Sequence, residues 1–242
     1  MSLPPDPSGH LPVPPAETTS HAPSSPTRRE TVARTGWMVI IMAKAPIPGY
    51  AKRRLAPVLG EAGAADLAGH LLDHAVQQAT SAGFDTVELC TAPNADHPAF
   101  RRLQAQHRLQ VTTQGTGSLG TRMHRALSRA LLTHDRALLI GTDAPALDAP
   151  MLQRAARALD AAHAVFVPAH DGGYALVGLR QPALELFEGV AWSTDQVMRQ
   201  TRERAAAAGL ELAELEPVSD IDVPADLAHL PGSLSAWGKE AT

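Results

Sequence analysis

Between Trp37 and Gly60 the chain has no Asp or Glu, yet it places Lys44, Lys52, Arg53 and Arg54 in one stretch, KAPIPGYAKRRLAP. The protein has only three lysines, and two of them are here. Compact ammonium groups and planar guanidinium forks at this density suit phosphate oxygens, with Pro46, Pro48 and Gly49 holding an open backbone path. A solvated surface loop is the plainer alternative. Carboxylates form the second group. Asp143 ends the apolar run LLIGTDAP, where an unpaired charge is costly unless it meets a cation, a donor or water. A divalent metal meets that need. In SDIDVPADL, Asp220 and Asp222 lie close together ahead of Pro224, and Asp226 follows a turn later, a pattern that also suits helix capping. Asp171 stands in HDGGY, whose Asp-Gly-Gly is equally the signal of a hairpin turn.

These residues need elements to position them. WMVIIMA reads as a strand, and EAGAADLAGHLLDHAVQQATSAG as a helix, because Leu67, Leu71, Leu72, Ala75 and Val76 recur at helical spacing. The unit repeats with TVELCTA and the segment around Phe100 and Leu103, with LQVTTQ and LGTRMHRALSRALLTH, and with RALLIGTD and PMLQRAARALDAA. Four such units predict an α/β domain with a mostly parallel sheet covered on both faces. The pattern then changes. AVFVPAHDGGYALVGL predicts a hairpin, followed by a helix over residues 193–208 and a last strand in LELAELEP. In such sheets ligands bind outside the carboxyl ends of the strands. The basic loop, QGTGSLG and Asp143 all follow strands.

Composition limits the partners. With 242 residues, 44% hydrophobic and 19% charged, the chain has the makeup of one soluble domain. A net charge of -4 argues against a general nucleic-acid binder and leaves the basic loop to a small anion. The single cysteine, Cys90, excludes a disulfide framework and fits a cytoplasmic setting. No run approaches the roughly 20 apolar residues of a membrane span. Residues 1–35 hold little apolar surface and many prolines, so they predict a disordered tail ahead of a domain at 36–232, with 233–242 as a second tail.

Two motif matches carry less. GTGSLG, Gly115–Gly120, has the letters of a dinucleotide fingerprint but sits on the third strand-to-helix turn, without an acid-ended second strand. A glycine turn that caps a helix explains it better. His70 and His74 in HLLDH resemble an inverted zinc-protease motif, yet the motif's Glu base is missing, so they read as the polar flank of a helix.

KAPIPGYAKRRLAP, QGTGSLGTRM, GTDAPAL, PAHDGGYALVGL, AWSTDQV and DIDVPADL, in this order, resemble the bacterial DUF2064 family. That family is similar to molybdenum-cofactor cytidylyltransferases and phospholactate guanylyltransferases. It is also labelled as glycosyltransferases and is sometimes tied to arsenosugar biosynthesis. The resemblance implies a GT-A, nucleotide-diphospho-sugar transferase fold, Mg2+ or Mn2+ as cofactor, a nucleotide-sugar or nucleoside triphosphate donor and a small-molecule acceptor. It implies that Lys44, Pro46, Gly49, Lys52, Arg54, Gln114, Gly115, Gly117, Gly120 and Arg122 line the donor's nucleotide and phosphates. Asp143 and Asp222 then hold the metal. Asp171, Gly172, Gly173, Tyr174, Trp192, Ser193 and Thr194 line the acceptor side, and Asp143, Asp171 and Lys52 carry the chemistry. Arg53 stands where the family usually has threonine, and Ser118 where it has an acid.

The expected reaction is metal-assisted transfer from a nucleotide donor, with sugar transfer ahead of nucleotidyl transfer. A nucleotide-binding module without turnover is the non-enzyme alternative. Base, acceptor and oligomeric state are not legible. If the first tail packs on nothing, deleting residues 1–34 leaves the thermal midpoint of the protein unchanged. A fall of several degrees in a calorimetric scan contradicts that reading.

Overall fold

The computed structural model describes Met1 and residues 36–235; the expected tail at 1–35, apart from Met1, and residues 236–242 of the tail expected at 233–242 lie outside them. Seven strands and their connections form one α/β layer structure. In chain order come β1 (Trp37–Lys44), α1 (Ala56–Ser81), β2 (Thr86–Ala92), α2 (Pro98–Gln106), β3 (Gln110–Thr113), α3 (Leu119–Ala130), β4 (Arg136–Ile140) and α4 (Ala149–Ala158). Then follow β5 (Ala164–Pro168), β6 (Tyr174–Leu179), α5 (Val197–Ala207), β7 (Leu212–Glu214) and the short α6 (Gly232–Ser235). Single-turn 3-10 helices lie at Leu184–Leu186 and Pro224–His229.

The sheet order is β3-β2-β1-β4-β6-β5-β7. β6 alone runs against its neighbours, pairing antiparallel with β4 and β5, while β1 pairs in parallel with both β2 and β4. Side chains of β1 alternate between two cores, as period-2 geometry requires. Val39, Ile41 and Ala43 meet α1, α2 and α4, and Met38 and Ile40 meet α3 and α5. A third cluster joins Leu55, Leu67, Leu71, Ile221 and Leu234, so packing reaches past residue 232.

Several boundaries differ from the sequence reading. α1 begins at Ala56 rather than Glu61, with Pro57 in its first turn, but breaks at Gly60, where φ is +71° and ψ 167°. The helical periodicity resumes at the expected residue. α5 begins at Val197 rather than Ser193, because Ser193 takes φ +64° and the Met198 N–H donates to the Gly172 carbonyl. Ser118 caps α3, its hydroxyl accepting from the Thr121 N–H at 3.2 Å, and Asp148 caps α4 in the same way. The glycine turn before α3 is therefore a capped turn.

One charge is buried inside the sheet. Glu88 of β2 is 1% exposed and pairs with Arg129 of α3, and it accepts the Thr112 hydroxyl of β3 at 2.7 Å. A buried carboxylate stripped of its cation is strongly destabilising. Arg129→Met is expected to cost about 3 kcal/mol in urea unfolding, and a second change, Glu88→Gln, to recover much of that loss. An unchanged midpoint in Arg129→Met rejects the pairing.

Candidate functional site

In the sheet order, connections leave β1 towards one edge and β4 towards the other, which opens a crevice outside their carboxyl ends. The basic loop follows β1 and Asp143 follows β4, so the topology brings the two sequence signals together. The Lys52 ammonium lies 2.6 Å from Asp143 Oδ1 and donates a short hydrogen bond to the Ile221 carbonyl. The Ile221 N–H donates to the Asp143 carbonyl at 2.8 Å. Loop, strand end and late segment are thereby tied in one closed contact. Beside it Arg54 pairs with Asp222 at 2.6 Å.

The late segment is tied to the end of β5 by a single bridge. Val218 bridges Ala169 in parallel, and the His170 N–H donates to the Val218 carbonyl. Ile221 is fully buried, whereas the flanking Asp220 and Asp222 are only half-buried. Asp226 accepts the Asp222 and Val223 N–H groups at 2.9 and 2.8 Å. It is the cap, which leaves Asp222 for Arg54.

Asp220 is the residue to which the sequence reading assigned no role. Burial, followed by the negative charges of Asp143 and Asp171, pushes its carboxyl up to about 7, with Lys52 working the other way and Asp222 adding to the rise. The available signal was Asp-Ile-Asp itself, an apolar residue between two acids. Excess negative charge and oxygen-only donors suit a hard divalent cation. Among the described residues no three His, Cys, Asp or Glu side chains form a ready cage. One or two carboxylates completed by water and phosphate oxygens are the usual Mg2+ arrangement, and Asp143 with Asp222 fit it.

The other expected donor-side residues divide into two groups. Lys44 and Arg53 are exposed, with no side-chain ion pair among the described residues, and Pro46 and Gly49, the latter at φ +74°, shape the loop between them. Gln114 turns inward instead. It is buried, its amide donates to the Ala43 and Cys90 carbonyls at 3.2 Å, and its oxygen accepts from Arg122 at 2.6 Å. Gln114 and Arg122 thus brace the glycine turn from below. Arg125 braces it from the side, donating to the Gln114 and Thr116 carbonyls. Gly115 and Gly117 have φ of +69° and +111°, and a Cβ on Gly120 would lie 2.6 Å from the Trp192 ring. That glycine lets the indole close onto α3.

On the expected acceptor side, Asp171 is exposed at the hairpin tip and accepts the Gly173 N–H at 2.9 Å. Tyr174 stacks edge-on between Phe166 at 4.9 Å and Trp192 at 6.2 Å, its hydroxyl 4.0 Å from the Met123 sulfur. Burial holds that phenol well above its usual range. Ser193 and Thr194 are exposed beside Trp192, and the Thr194 hydroxyl donates to the Ala191 carbonyl at 2.7 Å. His74 contacts the Pro145 carbonyl at 2.9 Å, a structural role consistent with a helix flank.

The hairpin tip is locked to the loop before α5. Gly172 has φ +90°, and a Cβ there would come within 2.6 Å of Asp195 Cα. Gly172→Ala is expected to destabilise the protein by about 2 kcal/mol or more, from backbone strain and overpacking together. Equal stability in denaturant titration rejects this close approach.

The family model described as an uncharacterized protein conserved in bacteria, DUF2064, matches residues 72–194, a span of just over half the chain. That span includes Asp143, Asp171 and Trp192. Among solved structures, a protein from Desulfovibrio desulfuricans G20, provisionally named a nucleotide-diphospho-sugar transferase, is 28% identical with a TM-score of 0.74, over 84% of this chain and 94% of its own. A 4-diphosphocytidyl-2C-methyl-D-erythritol synthase from Anaerococcus prevotii DSM 20548 is 10% identical with a TM-score of 0.56, over 83% and 99%. An inositol-1-phosphate CTP transferase from T. maritima is 14% identical with a TM-score of 0.52, over 84% and 95%. These last two share the fold. No curated protein sequence matches the chain. With its crevice at the β1/β4 divide, its capped glycine turn and this family match, the chain belongs to the DUF2064 family and has the nucleotide-diphospho-sugar transferase fold.

Proposed function

We propose that the protein is a nucleotide-using transferase, and more finely a metal-dependent glycosyltransferase that takes a nucleotide sugar and a small-molecule acceptor, working through residues 36–232. The observation that carries this reading is the meeting of the basic loop with Asp143 and the Asp220–Asp222 segment at the β1/β4 crevice. The similarity to the Desulfovibrio protein supports the same class.

The loop's charges are already partly engaged. Of the four cations in the loop, Lys52 and Arg54 already face Asp143 and Asp222, which leaves Lys44 and Arg53 exposed and without an ion pair among the described residues. Lys52 and Arg54 become available to phosphate oxygens once a metal takes Asp143 and Asp222, so the choice of a sugar donor rests on the similarity to the Desulfovibrio protein. Mg2+ or Mn2+ on Asp143 and Asp222, when bound, supplies Lewis-acid stabilisation of the diphosphate that departs. Lys44 and Arg53 grip phosphate oxygens as charge builds there. Asp171, at the exposed hairpin tip, takes the proton of the acceptor hydroxyl, and Trp192 with Gly172 lines the acceptor's side of the crevice.

Purified protein is incubated with Mn2+ and, separately, with a panel of nucleotide sugars and of nucleoside triphosphates. Nucleoside diphosphate with free or transferred sugar is the expected product, since only cleavage at the anomeric carbon leaves both phosphates on the nucleoside. Pyrophosphate from one triphosphate, with every sugar donor inert, replaces the reading with nucleotidyl transfer. Asp143→Asn and Asp222→Asn are each expected to fold and to lose Mn2+-dependent nucleotide binding. Parent-like binding by both makes these acids structural.

A further inference from the structure

We propose that the Lys52 ammonium is a built-in counter-ion that competes with the divalent metal for Asp143, so that metal entry and release of Lys52 are a single exchange. The inference rests on the reading of Asp143 as a metal ligand. Three observations carry it. The Lys52 side chain is only 5% exposed, although it leaves a surface loop, while the Asp143 side chain is 51% exposed. The ammonium is thus enclosed and the carboxylate stays open to an incoming ion. Second, the ammonium occupies Asp143 Oδ1 at 2.6 Å and is anchored from behind by the Ile221 carbonyl. Third, Lys52 has φ +47°, a left-handed backbone that a non-glycine residue rarely adopts and that must be held by its surroundings. The loop fixes that bend with the Leu55 N–H on the Lys52 carbonyl at 2.9 Å, and the bend directs the chain of Lys52 inward.

The nearby Arg54 contact does not share this design. Both of its side chains are well exposed, at 68% and 45%, so solvent screens the pair and a metal displaces it at little cost. Lys52 differs because its ammonium is enclosed: once Asp143 is taken it keeps only the Ile221 carbonyl and the more distant charge of Asp220 until a further anion arrives. A donor diphosphate is such an anion. Metal and donor therefore bind with mutual support: the metal takes Asp143, and the freed ammonium turns to a phosphate oxygen while it keeps its bond to Ile221. Without donor, metal binding is weak because it takes from Lys52 its closest carboxylate partner.

The test uses the full chain without nucleotide and counts free Mn2+ by electron paramagnetic resonance. Lys52→Met and Lys52→Gln, which remove the competing charge, are expected to bind Mn2+ about tenfold more tightly than the parent, a unit charge near a solvated surface being worth roughly that factor. Lys52→Arg retains the charge and binds like the parent, and Asp143→Asn loses the site. Parent-like affinity in Lys52→Met and Lys52→Gln, with binding still lost in Asp143→Asn, overturns the exchange and leaves the metal reading standing. Parent-like affinity in Asp143→Asn removes the metal reading and the exchange with it. The unmutated protein offers a second measurement, because it has only three lysines, Lys44, Lys52 and Lys239. With 15N-labelled lysine side chains, the signal missing in Lys52→Arg belongs to Lys52. It is expected to shift on adding Mg2+ to the parent and to stay still in Asp143→Asn. A Lys52 signal that ignores Mg2+ while the parent binds it overturns the proposal.

Discussion

One ammonium group connects three parts of this protein that are far apart in sequence. Lys52 comes from the first loop, Asp143 from the turn after the fourth strand and Ile221 from the segment after the last, and all three meet at the Lys52 Nζ. A charge this enclosed is tolerable only when paired and hydrogen-bonded, so the contact is demanding in both directions. It requires the loop to bend at Lys52, the turn after β4 to present Asp143, and the late segment to lie with Ile221 inward. Ile221 then packs with Leu55 and Leu71 beneath the same loop, so the polar contact rests on an apolar one.

The surroundings of this contact are built by close approach. Gly120 admits the Trp192 ring and Gly172 admits the backbone at Asp195, which joins α3 and the β5–β6 turn to the loop ahead of α5. Gln114 and Arg125 spend their polar groups on backbone carbonyls, and so make the glycine turn rigid without facing a ligand themselves. Such support below a loop is what lets exposed groups such as Lys44 and Asp171 be held in position for chemistry.

The acids add a tension that the fold sustains. Asp143, Asp171, Asp220 and Asp222 crowd one end of the sheet, and the carboxyl of Asp220 is raised first by its burial and then by these neighbouring charges. Lys52 and Arg54 offset part of it. A site left short of positive charge is well suited to gain a cation together with an anionic donor, and functional sites commonly carry this kind of stored electrostatic cost.

Local pattern was enough for the α/β class, the order of elements and the placing of the basic loop, Asp143 and HDGGY at strand ends. Apolar periodicity is a property of neighbours in sequence, and Val39-Ile40-Ile41 or Leu71-Leu72-Ala75-Val76 shows it without any partner. The resemblance to DUF2064 then joined six separated blocks into one expectation. Pairing across the chain could not be read in that way. That Lys52 would be enclosed by Asp143 and Ile221, that Gln114 would face the core, and that Asp226 would cap while Asp220 joined the acids all depend on which segments the sheet order brings side by side. The sequence by itself determined which residues could carry charge to the carboxyl edge. Only the tertiary structure decided which charges meet, because a contact across 91 to 169 residues of chain, as from Lys52 to Asp143 and to Ile221, is set by strand order and packing rather than by local preference.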